Sequence, residues 1–136
     1  MVTRSDAFDE RVPPNRKMTF EEYLDWCDED THAEWVDGEI VMTSPCSLIH
    51  QDIGSFLEKL LSIYVESHQL GNALRAPFVM KLTNPPRGRE PDLLFVANKR
   101  EHLLKETYLD GAADLAVEIV SPESLRRDRS DKFIEI

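Results

Sequence analysis

Two stretches decide how this chain is read: Leu115-Ala116-Val117-Glu118-Ile119-Val120 and Pro91-Asp92-Leu93-Leu94-Phe95-Val96-Ala97. Both are short and apolar, the pattern of strands buried in a sheet. Each also carries one carboxylate among hydrocarbon side chains. An ionised carboxylate in that setting is costly unless something compensates it. Two of them on adjacent strands, Asp92 and Glu118, can share a divalent cation, which supplies the compensation.

Working outward, three strands are expected, at roughly 73–82, 92–97 and 115–120. Upstream of them, Ile49, Ile53, Phe56, Leu57, Leu60, Leu61, Tyr64 and Val65 form a helical stripe. Ser44-Pro45 reads as the N-cap and first position of that helix, and Gly71 as its stop. Earlier still, Asp37-Gly38 separates Ala33-Glu34-Trp35-Val36 from Glu39-Ile40-Val41-Met42, a strong hairpin signal. Thr19 and Glu22 have capping-box spacing, which predicts a helix from Phe20 to about Cys27. Pro85-Pro86-Arg87-Gly88-Arg89 reads as a loop, residues 99–106 as a short helix and Asp110-Gly111 as a turn. A further helix is expected from near Arg129. Residues 1–17, polar and containing Pro13-Pro14, read as a flexible arm, and 18–136 as one domain.

This order predicts an α/β (α+β) fold, a mixed β-sheet flanked by helices and preceded by a small helix and a hairpin. In such a sheet the last helix crosses over to a further parallel strand. The chain stops at Ile136, so the last core strand is expected to be missing. The strand carrying Glu118 would then have an open edge that a second copy can cover, giving a homodimer or larger oligomer.

The chain has 136 residues and a net charge of −10. Residues 1–45 hold 12 acidic and 4 basic groups, 46–70 hold 3 and 1, and 71–136 hold 11 of each. The excess acid therefore lies upstream of the candidate site. Arg75, Lys81, Arg87, Arg89, Arg126, Arg127 and Arg129 could form a locally basic rim, though none belongs to a strong basic block. Apolar runs are too short to span a bilayer, and the N-terminus has no signal-peptide core, which points to the cytoplasm. Cys27 and Cys46 lack metal-site spacing and read as reduced thiols.

Taken together, the chain resembles the Uma-type restriction endonuclease family, a branch of the PD-(D/E)XK nuclease superfamily. The resemblance rests on Glu34 through Met42, Ser44-Pro45 through His50, Glu90 through Val96, Asp114 through Pro122, and Asp128-Arg129-Ser130-Asp131-Lys132. It implies a restriction endonuclease-like core that hydrolyses phosphodiester bonds in DNA with Mg²⁺ or Mn²⁺. Asp92, Glu118 and the Ile119 carbonyl would be the metal ligands. The superfamily lysine lies two residues after the glutamate, where this chain has Val120, so the resemblance points instead to Lys132. Glu34 is implied as an outer ligand or water-binding group, and His50 as a group beside the metal. The alternative is a scaffold of the same fold that binds nucleic acid or protein without catalysis. Only four residues follow Lys132, so weak metal binding and poor cleavage are expected of this chain.

Overall fold

The computed structural model describes residues 12–28, 31–43 and 47–120. Helix α1 spans Phe20–Trp26, and its N-cap Thr19 accepts a hydrogen bond from the Glu22 amide at 3.2 Å. Strands β1 (Ala33–Val36) and β2 (Glu39–Met42) pair as the expected hairpin. Asp37 and Gly38 make the turn with φ of 54° and 80°, a conformation suited to Asp-Gly.

The long helix α2 runs from Leu48 to Ser67. Its N-cap is Ser47, whose hydroxyl accepts the His50 amide at 3.2 Å, rather than Ser44. Ser44, Pro45 and Cys46 lie outside the described residues. Gly71 does not end α2 either. The left-handed position is Gln69 (φ 51°), with Leu70 N–H on Val65 O and Gln69 N–H on Glu66 O at 3.0 and 3.2 Å. That double bond pattern satisfies the last carbonyls of the helix. Gly71 instead opens the next strand, where a Cβ would sit 2.1 Å from the Val96 carbonyl oxygen.

The strand expected over 73–82 is two strands in two sheets. Strand β3 (Gly71–Arg75) and β4 (Val79–Thr83) are separated at Pro77, which has no N–H to continue a ladder. The stretch expected as a loop contains β5 (Pro86–Arg89), followed by β6 (Leu93–Ala97), a 3₁₀ helix (Asn98–Leu103), β7 (Tyr108–Leu109) and β8 (Leu115–Val117). One sheet has the order β2-β1-β5-β4-β7 and is mixed, with β4 and β7 parallel. The other has the order β3-β6-β8 and is antiparallel, with α2 lying against β3. The mixed α/β class is as expected, but the strands divide between two sheets. The helix expected near Arg129 and most of the arm, residues 1–11, lie outside the described residues.

Two cores hold these layers. Phe20, Tyr23, Ala33, Trp35 and Val79 fill the space beneath α1, with the Phe20 ring edge-on to Trp35 and Tyr108. Tyr23 donates its hydroxyl to the Ala33 carbonyl at 2.6 Å, and burial pushes that phenol's pKa up. Met80, Leu82, Leu94, Val96 and Leu109 form the second core, joining β4 to β6 and so one sheet to the other. Proline and glycine hid β5 from a sequence reading, yet Gly88 is there because of its neighbours. A Cβ at Gly88 would lie 3.0 Å from the Tyr23 ring and 3.2 Å from Trp35 Cβ. Gly88→Ala should therefore destabilise the protein by about 1–3 kcal/mol through overpacking. Denaturant unfolding of the two proteins would measure it, and equal midpoints would contradict the tight contact.

Candidate metal and phosphodiester site

Asp92 lies one residue before β6, and Glu118 one residue after β8. These strands pair antiparallel with Leu93 opposite Val117, so continuing the register by one step sets Asp92 opposite Glu118. Residues directly opposite in an antiparallel pair project from the same face. The two carboxylates expected on adjacent strands thus occupy neighbouring strand ends.

Asp92 is held from two sides. Its Oδ2 accepts the Ile119 backbone N–H at 2.7 Å, and its Oδ1 lies 3.3 Å from His50 Nε2. His50 stands in the first turns of α2. One helical turn further on, a Cβ at Gly54 would meet the Ile119 side chain at 3.3 Å. The same face of α2 therefore covers both Asp92 and the segment leaving β8. Asp92 and His50 are each only partly exposed, at 23% and 20% of the side chain. A sequence reading could place His50 beside the carboxylates only through family resemblance, because Asp92 lies 42 positions further along the chain.

Glu34 behaves differently. It is fully buried on β1, pairs with Arg89 Nη1 at 3.5 Å, and accepts the Glu90 amide at 3.4 Å. Through the Glu90 amide it reaches the backbone two residues before Asp92. Arg89 correspondingly does not belong to an accessible basic rim. Arg75 is engaged by Glu58, Arg87 by Asp37, and Lys81 by Glu21 and the Phe20 ring. Arg126, Arg127, Arg129 and the candidate lysine, Lys132, lie outside the described residues.

One anchoring residue escaped the sequence reading. Asp114 accepts the Ala97 N–H at 2.8 Å and pairs with Arg100 at 3.3 Å, so it ties the entry of β8 to the end of β6. The Ala97 amide first, and then Arg100, hold its carboxyl below the usual aspartate range. Nothing in its local sequence distinguishes it from a turn aspartate, since both partners are distant in the chain.

Residues 20–135 match the Uma2 family, described as "Putative restriction endonuclease". The chain belongs to that family. Curated proteins give no match. A crystal structure from Anabaena variabilis ATCC 29413, described as a putative nuclease belonging to DUF820, is similar with a TM-score of 0.69 and 16% identity. The similarity covers 86% of this chain and 66% of that one. It shows that the Uma2 chain shares that protein's fold.

The donor chemistry of this candidate site suits a hard cation. Mg²⁺ is commonly held by one or two carboxylates while keeping several waters, which is what Asp92 and Glu118 can supply. Among the described residues no group of three or more His, Cys, Asp or Glu side chains could hold a metal ion. Among the described residues no helix is long and apolar enough to cross a membrane.

Two outcomes follow. Glu34→Ala leaves Arg89 charged and buried, and should cost about 3–5 kcal/mol in chemical denaturation. A variant as stable as the parent would show that the pair is not structural. For Asp114, a lowered carboxyl pKa stabilises the fold above the unfolded value and ceases to do so as pH falls through the folded value. Asp114→Asn should therefore be less stable at pH 7, with the gap closing below about pH 4. Thermal melts across pH would check this, and a gap that is flat with pH would exclude it.

Proposed function

We propose that this Uma2 chain is a metal-dependent nuclease acting on DNA, with Asp92 and Glu118 holding Mg²⁺ or Mn²⁺. The observation that supports the proposal is the β6–β8 register, which continued by one step has Asp92 opposite Glu118, together with the contacts of Asp92 to the Ile119 amide and His50. When bound, the cation would neutralise charge on the phosphoryl oxygens and make its water a better nucleophile.

The chain's own groups prepare that site. The Ile119 N–H bond fixes the Asp92 carboxylate plane and disperses part of its charge. His50 approaches the other oxygen, so Asp92 cannot rotate without breaking one contact or the other. His50 is thus a positioning residue for Asp92. The Ile119 carbonyl is proposed as a further oxygen ligand. Lys132 is proposed to stabilise developing charge or orient the attacking water, and Glu34 to support the site through the Glu90 backbone. DNA is the proposed substrate because the family is one of restriction endonucleases by description.

The test combines calorimetric Mn²⁺ titration with nicking of supercoiled plasmid in Mg²⁺ or Mn²⁺. Weak metal binding and slow metal-dependent nicking are expected of this chain, with Asp92→Asn and Glu118→Gln losing both. His50→Ala should lose about 10–100-fold, as for a group that supports a ligand from behind. Lys132→Ala should bind metal normally and cleave poorly. Metal affinity unchanged in both carboxylate variants would overturn the assignment. DNA binding without cleavage under any metal would favour the non-catalytic scaffold.

A further inference from the structure

Helix α2 turns one side to β3 and the site, and among the described residues nothing covers the other. Ile49, Ile53, Phe56, Leu60 and Ile63 are all exposed, Phe56 by 65% and Ile49 by 71%. Scattered exposed apolar residues are ordinary, but these five are not scattered. They advance by steps of four, three, four and three, the seam of a helix that packs against another helix. A contiguous apolar stripe along a helix of about 30 Å marks an interaction surface.

Charge beside the stripe selects the occupant. Asp52 and Lys59 flank it on one edge, two turns apart and exposed, and neither makes an ion pair among the described residues. Across a two-fold axis at Phe56, an antiparallel copy of α2 brings Ile49 opposite the other Ile63 and Ile53 near the other Leu60. The same operation carries Asp52 to within a residue of Lys59 in the other copy, twice by symmetry. In antiparallel helix pairs like edges face each other, so both contacts fall on the flank of one seam. A parallel pair would bring no such match.

We infer that α2 is a homodimer interface in which two copies pair antiparallel about Phe56, sealed by reciprocal Asp52–Lys59 ion pairs. The occupant is the second copy expected from sequence, but the surface is not the expected edge of β8. That strand is only three residues long, Leu115–Val117, and offers few unpaired backbone groups. The seam lies on the side of α2 away from Val65, so His50 keeps its place against Asp92 in each copy.

Sedimentation equilibrium on the whole chain tests this, using the parent, Phe56→Glu, Asp52→Lys, Lys59→Asp and the doubly reversed Asp52→Lys/Lys59→Asp. The parent should be dimeric at micromolar concentration and Phe56→Glu monomeric. Each single reversal turns two attractive pairs repulsive and should weaken dimerisation about tenfold or more, while the double reversal restores it. The three charge variants touch no core residue, so they decide the matter even where Phe56→Glu impairs folding. In a background with Cys27→Ser and Cys46→Ser, mixed Ile49→Cys and Ile63→Cys chains should cross-link to each other and not to themselves. A monomeric parent would overturn the inference, as would a dimer in which the double reversal is no better than the singles. A folded dimer indifferent to Phe56→Glu would place the interface elsewhere and overturn it as well.

Discussion

The Asp92 carboxylate is the point on which the site depends. Its two oxygens tie three elements: Oδ2 holds the chain leaving β8 through the Ile119 amide, Oδ1 faces His50 on α2, and Asp92 itself leads into β6. Backbone position supports the same arrangement from the other edge, because the Ala76 amide donates to the Asp92 carbonyl at 3.1 Å. A carboxylate at the end of an apolar strand is stabilised by such donors, and its orientation becomes fixed in return.

That local arrangement is held by the layers around it. The core of Met80, Leu82, Leu94, Val96 and Leu109 locks β6 to the five-stranded sheet, so the strand end carrying Asp92 cannot shift without disturbing both sheets. Asp114 and Arg100 hold the entry to β8, which keeps Glu118 in register with Asp92. The buried Glu34–Arg89 pair fastens the chain just upstream at Glu90. Polar groups at distance from the carboxylates thus act on them through the backbone.

Helix α2 presents two different sides. One side of α2 covers the strand ends, the other displays an apolar seam, and the basic side chains of the described second half are largely engaged in ion pairs.

Much of the architecture was readable from the residues alone, where local signals and periodicity suffice. Thr19 with Glu22, Asp37-Gly38 and the α2 stripe each act within a few residues of themselves, so α1, the hairpin and α2 were legible. The apolar runs around Asp92 and Glu118 likewise announced their strands. What the residues could not reveal arises from contacts distant in the chain. Pro86 and Gly88 look like breakers until Tyr23 and Trp35 demand a residue without a side chain. Gly71 looks like a helix stop until β6 approaches it. Arg89 looks like a surface cation until Glu34 meets it in the core. Local sequence specifies conformation by sterics and hydrogen bonding over one or two turns. Only tertiary packing decides which strands share a sheet, which charges are buried together and which face of a helix is left uncovered.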